Sequence, residues 1–285
     1  MTLLIFGATG QVAQELRKRA PHAAFMGRGT ANLSDPEGCA EVIRASGASA
    51  VINAAASTAV DRAEDEEALA TTINGTSPGA MARAAADLGI PFVQISTDYV
   101  FDGSGHHAWR PHDHTAPLGA YGRSKLVGEQ AVQAAGGAYG ILRTSWVFSA
   151  HGQNFVKTML RLSETRDSLR VVEDQIGGPT AAGDIAQAVL VMAEALRQHP
   201  GKSGIYHFAG APDVSWAEFA RAIFKLAGRG VEVTGIPASE YPTPAKRPGN
   251  SRMNCAETET VFGIHRPDWH ASLAQVMRDL EKAEM

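Results

Sequence analysis

Tyr121 and Lys125 stand four residues apart in Tyr-Gly-Arg-Ser-Lys. That spacing puts both side chains on one face of a helix. A free tyrosine, with a pKa of about 10, is a poor acid–base group near pH 7. A neighbouring ammonium stabilises the phenolate and lowers that pKa. The pair therefore suits proton transfer to or from an oxygen that gains or loses a hydride. Thr97 closes an apolar run in Ile95-Ser96-Thr97-Asp98-Tyr99. A hydroxyl at the C-terminal end of a parallel strand lines the crevice where ligands bind and can hydrogen-bond a carbonyl. Ser96 is the competing candidate. The catalytic candidates are thus Tyr121, Lys125 and Thr97.

Hydride chemistry calls for a dinucleotide. Gly7-Ala8-Thr9-Gly10-Gln11-Val12-Ala13 lies between an apolar run and a helical stretch. Glycines at such a turn let the backbone approach a pyrophosphate, whose charge meets the helix N-terminus. Ala13 stands where a third glycine is usual and is still small enough for close packing. The next strand end reads Met26-Gly27-Arg28, with no acid to take a ribose 2′-OH. Arg28 suits a 2′-phosphate, so the expected cofactor is NADPH over NADH. A proline-rich loop, residues 242–252, carries Lys246, Arg247 and Arg252, which offer charge-assisted hydrogen bonds to phosphates.

These residues need a scaffold, and the first half supplies one. Apolar runs at Leu3–Phe6, Ala24–Met26, Ala50–Asn53, Pro91–Ser96 and Tyr139–Leu142 read as strands. Helical stretches at Gln11–Ala20, Pro36–Ser46 (capped by Ser34 or Asp35), Thr71–Leu88 and Tyr121–Ala135 separate them. Such alternation predicts an α/β fold, a doubly wound parallel sheet with helices on both faces. Later helices are expected at Ala182–Leu196, Trp216–Leu226 (capped by Ser215) and Pro267–Glu281, with a strand at Ile205–Phe208 and an extended loop over Pro237–Pro248. The expected organisation is a Rossmann domain over 1–150, completed by about 170–212. A smaller C-terminal substrate domain takes 213–285 with part of 150–170.

The chain has 285 residues, 44% of them hydrophobic, with a net charge of −4 and two cysteines. That excludes bulk disorder, a disulfide scaffold and a cysteine-only zinc site, and it speaks against a nucleic-acid binder. The apolar start breaks at Gly7 and reads as a strand, not a signal peptide. No run is long enough to span a membrane. The expected localisation is cytoplasmic.

The same residues carry a resemblance. The chain resembles the extended short-chain dehydrogenase/reductases, and within them the reductases of dTDP-linked 4-keto-6-deoxy sugars. The resemblance runs nearly end to end. It rests on the glycine turn, Asn53-Ala-Ala-Ala56 with Thr58-Ala-Val-Asp61, residues 96–103, Tyr121 to Lys125, Arg143-Thr-Ser-Trp-Val147 and residues 242–252. It implies reduction of dTDP-4-keto-L-rhamnose to dTDP-L-rhamnose with hydride from NADPH. Gly7, Gly10, Gln11 and Val12 would hold the pyrophosphate, and Ala54, Ala55, Ala56 and Thr58 would line cofactor and sugar. Thr97 would orient the 4-keto oxygen, with Asp98 beside the substrate. Tyr121 would donate the proton, and Lys125 would bond the nicotinamide ribose and tune Tyr121. Trp146 would pack against the sugar ring, since indole is a flat apolar platform with one donor. The rival readings are another sugar-nucleotide reductase or epimerase, and a non-catalytic nucleotide-binding subunit. A monomer or a homodimer fits.

Some relatives form a metal-bridged dimer through acids; Glu15 matches one, but Gly183 stands where a second is expected, beside Asp184. No metal ligand is therefore assigned, and a role for Mg2+ is left open. His106, His107, His112 and His114 crowd one loop without helical ligand spacing. The acidic run Asp61 to Glu67 reads as a solvated helix start, and Cys39 and Cys255 as structural.

Overall fold

Four short first-half strands have nearly every residue buried, as a parallel sheet covered on both faces requires. The computed structural model describes residues 1–284. The chain runs β1 (Leu3–Phe6), α1 (Gln11–Arg19), β2 (Ala24–Met26), α2 (Pro36–Ala45), β3 (Ala50–Asn53), α3 (Val60–Asp65) and α4 (Glu67–Thr71). A π turn (Thr72–Thr76), α5 (Ser77–Asp87), β4 (Phe92–Thr97), α6 (Ala120–Ala134) and β5 (Tyr139–Thr144) follow. Next come β6 (Val147–Phe148), α7 (Phe155–Leu162), β7 (Ser168–Val172), β8 (Ile176–Gly177), β9 (Thr180–Ala181) and α8 (Ala182–Gln198). The rest is β10 (Gly204–His207), β11 (Val214–Ser215), α9 (Trp216–Leu226), β12 (Glu232–Ile236), β13 (Asn250–Ser251), α10 (Ala256–Phe262) and α11 (Trp269–Glu284).

The main sheet has the order β10-β5-β4-β3-β1-β2, and every pair in it is parallel. The chain leaves β1 for β2 on one side and returns to β3 on the other. That reversal opens a crevice at the C-terminal ends of β1 and β3, where ligands of such sheets bind. One face of the sheet (Ile5, Ile52, Val93, Leu142) packs on α1 and α8. The other (Leu4, Val51, Phe92, Ile141) packs on α2 and α5. A third core, with Phe148, Phe219, Phe224, Trp269 and Leu273, joins α7, α9 and α11 to the β7–β12 pair. Among the described residues no helix is long and apolar enough to cross a membrane.

The expected caps form. Asp35 accepts from the Gly38 N–H at 3.1 Å, and Ser215 makes a reciprocal capping box with Glu218. The expected continuous helix over Thr71–Leu88 does not. It breaks at the π turn around Asn74, a buried side chain with three hydrogen bonds. Asn74 Oδ1 accepts from the Ser57 N–H at 2.8 Å, and Nδ2 donates to Ser57 O at 2.9 Å and to Ser124 Oγ at 3.0 Å. The wider turn swings this amide between the loop after β3 and helix α6. The Pro237–Pro248 segment is extended as expected except for a single 3-10 turn, Ala238–Glu240.

The π turn and α6 cross at Gly128, where a Cβ would lie 2.0 Å from Asn74 O. Gly128→Ala is expected to destabilise the protein by about 1–3 kcal/mol through overpacking. Gly201→Ala, with open space around it, is the control. Urea denaturation measures both, and equal midpoints would refute the close crossing.

Candidate active site

The glycine turn has the conformation its residue types predict. Gly7 sits at φ +112°, and a Cβ there would come within 3.2 Å of the Ala54 backbone. Its N–H donates to Met26 O at 2.8 Å, which ties the turn to the end of β2. Gly10 begins α1 with no side-chain cap and no acid in the first turn. The first amides of α1 therefore lack a side-chain partner, and the turn lacks the Cβ that would hold an anion off. These features fit a dinucleotide diphosphate. Val12 packs into the core, and the Gln11 side chain turns away to accept from Ser149 Oγ and Asn154 Nδ2, each at 2.9 Å. Only the Gln11 backbone faces the turn's task. Arg28 is exposed beside the turn and makes no hydrogen bond or ion pair among the described residues. Asn53 shapes the loop after β3: its Nδ2 donates to Gln94 and its Oδ1 accepts from the Ala55 N–H at 3.1 Å. That places Ala54, Ala55 and Ala56 across the crevice, half-buried, with Thr58 exposed.

The three catalytic candidates come together. α6 begins at Gly119, and the Glu64 carboxylate of α3 accepts from the Ala120 N–H at 2.9 Å in place of a local cap. A Cβ on Gly122 would lie 2.2 Å from Tyr99 O, so the first turn of α6 rests directly on the backbone after β4. Tyr121 meets Tyr99 edge-on at 5.5 Å, with the Thr97 hydroxyl as polar neighbour of its phenol. Lys125 is buried, and its Nζ donates to Ile95 O at 2.6 Å. Burial lowers it to about 8, against the pull of Glu129. Ser96 is no competitor to Thr97, because its hydroxyl donates to Glu129.

Two expectations need correction. Lys125 was expected to lower Tyr121, yet burial and then the charge of Asp98 push the phenol up to about 12. On its own the protein therefore keeps Tyr121 as the protonated phenol. Thr97 was expected to offer its proton to a ketone, but Oγ1 donates to Asp98 Oδ1 at 3.0 Å and accepts from the Tyr99 N–H at 3.2 Å. Asp98 is 3% exposed and is pushed up to about 6 by burial, with the Ser251 and Thr97 hydroxyls opposing. Asp98 Oδ2 and Thr144 Oγ1 are buried without partners among the described residues. Both sit at the crevice end of adjacent strands, where Thr97 pairs with Thr144.

The sugar side departs further from expectation. Trp146 has φ +50°, unusual for a bulky residue. One face of its indole stacks on Trp216 at 3.6 Å, and a Cβ on Gly177 would lie 2.9 Å from the ring. Trp216 escaped notice because only its α9 cap marked it in the sequence. Arg247 is not free for a phosphate: both its terminal nitrogens bond the Asp61 carboxylate at 3.1 Å. Lys246 is exposed, and Arg252 bonds Asn250 Oδ1 at 3.0 Å. The acidic run is not simply solvated. Asp61 holds Arg247, Glu64 caps α6, and Glu67 takes Arg123 at 2.7 and 2.9 Å. Glu15 is committed within the chain to Lys18, Arg19 and His151, and Arg19 fills the space beside Gly183. Cys39 and Cys255 are buried, and burial raises both thiols to about 11.

Below the site lies a buried ion pair that the sequence did not signal. Glu129 of α6 takes Arg143 of β5 through two bonds, at 2.9 and 2.6 Å, and both side chains are buried. Arg143 also donates to Pro111 O and lies 3.4 Å from His207 Nε2. His207 stays neutral, depressed to about 3 by burial and by Arg143.

Residues 1–282 match the family model described as RmlD substrate binding domain. A dTDP-4-dehydrorhamnose reductase of Sinorhizobium fredii is 43% identical over 286 residues, covering 97% of each chain. A crystal structure of a dTDP-4-dehydrorhamnose reductase from Clostridium acetobutylicum superposes with a TM-score of 0.92 at 36% identity, covering 99% of this chain and 100% of that one. The enzyme of that name from Bacillus anthracis, solved in complex with NADP, gives 0.89 at 32% identity, covering 98% and 100%.

Removing one partner of a buried ion pair strands the other's charge and costs about 3–5 kcal/mol. Glu129→Gln is expected to lose that much in urea denaturation. A loss below about 1 kcal/mol, typical of surface pairs, would refute this assignment.

Proposed function

The chain belongs to the dTDP-4-dehydrorhamnose reductase family, and on that premise we propose that it reduces dTDP-4-keto-L-rhamnose to dTDP-L-rhamnose with NADPH. The observation that carries this reading is the convergence of Tyr121, Thr97 and Lys125 at the C-terminal end of β4, beside an uncapped glycine turn. NADPH supplies the hydride that adds to the sugar C4 carbonyl. The backbone of Gly7, Gly10, Gln11 and Val12 holds its diphosphate, and Ala54 to Ala56 line the crevice. Arg28, exposed at the end of β2, takes the 2′-phosphate by charge-assisted hydrogen bonds.

Tyr121 gives its proton to the alkoxide that develops at C4. A phenol near 12 is protonated at every physiological pH and still far more acidic than an alcohol, so transfer runs downhill. The Tyr121 phenol thereby stabilises charge that appears only in the transition state, with Thr97 bordering it. Lys125, on the same face of α6, reaches the nicotinamide ribose and holds the Ile95 carbonyl. Trp146, held in place by its stack on Trp216, packs against the sugar ring. Lys246 and Arg252 serve the sugar-nucleotide diphosphate. Arg247 holds their loop against Asp61.

Tyr121→Phe is expected to lower keto-sugar-dependent NADPH oxidation by about 10²–10⁴-fold with little change in NADPH affinity. Near-normal turnover would sink the assignment. Arg28→Ala is expected to narrow the preference for NADPH over NADH by about ten- to a hundredfold, the range for losing charged hydrogen bonds, as read from the two cofactors' dissociation constants. An unchanged ratio would remove Arg28 from the cofactor site.

A further inference from the structure

A threonine hydroxyl has one proton and two lone pairs. At Thr97 the proton goes to Asp98 Oδ1 at 3.0 Å, and one lone pair takes the Tyr99 N–H at 3.2 Å. The Tyr121 phenol is its polar neighbour. The Thr97 proton, committed to Asp98, is not left for a ketone placed between Thr97 and Tyr121. The carboxyl end sets this direction. A carboxylate only accepts, whereas a carboxylic acid also donates. If Asp98 donates to Thr97 Oγ1, that donation and the Tyr99 N–H fill both Thr97 lone pairs. The Thr97 proton is then free, and the phenol must turn its own proton elsewhere.

The surroundings favour the protonated carboxyl. Asp98 is 3% exposed, and its Oδ2 has no partner among the described residues. The side chains that act on it are the Thr97 and Ser251 hydroxyls, from β4 and β13. Asp98 in turn disfavours ionisation of Tyr99, from its own turn, and of Tyr121, from α6. None of these neighbours is a cation; Arg247 bears on Tyr99 instead.

We propose that Asp98 is a positioning residue, whose protonated carboxyl reverses the Asp98–Thr97 hydrogen bond so that the Thr97 hydroxyl donates to the sugar ketone alongside the Tyr121 phenol. The proton that reaches the alkoxide is still that of Tyr121, and Asp98 keeps its own. This inference rests on the reductase reading.

The test is kcat/KM between pH 5 and 9 for the wild type, Asp98→Asn and Asp98→Ala, with carboxyl NMR of protein carrying 13C-labelled aspartate. Wild-type kcat/KM is expected to fall about tenfold per pH unit above the point where Asp98 ionises. Asp98→Asn, whose amide donates to Thr97 at every pH, should lower kcat/KM several-fold at pH 6 and lose the alkaline fall. Asp98→Ala, which has no donor, should be slow throughout. The aspartate signal missing from Asp98→Asn should titrate near 6 in the wild type. An Asp98→Asn profile that keeps the wild-type fall overturns the proposal. So does a carboxyl titrating below about 4.5, the ordinary range, whatever the turnover. A wild type that never oxidises NADPH with the keto sugar sinks the reductase reading, and the carboxyl titration then decides Asp98 alone.

Discussion

The buried Glu129 carboxylate is where three elements meet. It belongs to α6, it takes two bonds from Arg143 of β5, and it takes the hydroxyl of Ser96 from β4. A carboxylate with almost no exposure survives only if it is paired and its remaining lone pairs are filled. Both conditions hold here, so α6 cannot slide against the sheet without stranding a charge. Lys125 lies one turn before Glu129, Tyr121 one turn before that, and Thr97 directly follows Ser96. The relative placement of Thr97, Tyr121 and Lys125 is thus inherited from a contact that none of the three makes. Such a network stabilises little in net terms; what it specifies is one alignment among several.

A second set of contacts works at the surface. Asp61, Glu64 and Glu67 each reach a different target: the proline-rich loop, the start of α6 and Arg123. Exposed pairs of this kind contribute up to about 1 kcal/mol each. Their weight lies in placement, because they fix the start of α6 and the proline-rich loop from one short acidic stretch.

The central sheet was legible because its strands are short apolar runs separated by glycines, prolines and helical stretches. That Tyr121 and Lys125 share one face of α6 was legible from their four-residue spacing. What escaped the sequence has physical reasons. β6, β8, β9, β11 and β13 span two residues each, too few for any period to show. The π turn at Thr72–Thr76 is made by the contacts of Asn74, 17 residues from Ser57 and 50 from Ser124. The Asp61–Arg247 pair joins residues 186 apart. Both the polarity of the Thr97 hydroxyl and the raised phenol of Tyr121 follow from burial, which residue spacing does not report.

The threading of the chain also orders its own manufacture. Strands β1 to β5 and the glycine turn find their sheet neighbours within the first 144 residues, except that β5 leaves one edge bare until β10 emerges at Gly204. The contacts that tie residues 104–109 to β13 close much later, since Trp109 bonds Asn250 across 141 residues and Asn250 bonds His107 across 143. With synthesis at about 5–20 residues per second, the last of these partners leaves the ribosome on the order of ten seconds after β5. During that interval the nascent chain carries a finished glycine turn, an unpaired β5 edge, and no β13 to close against Trp109.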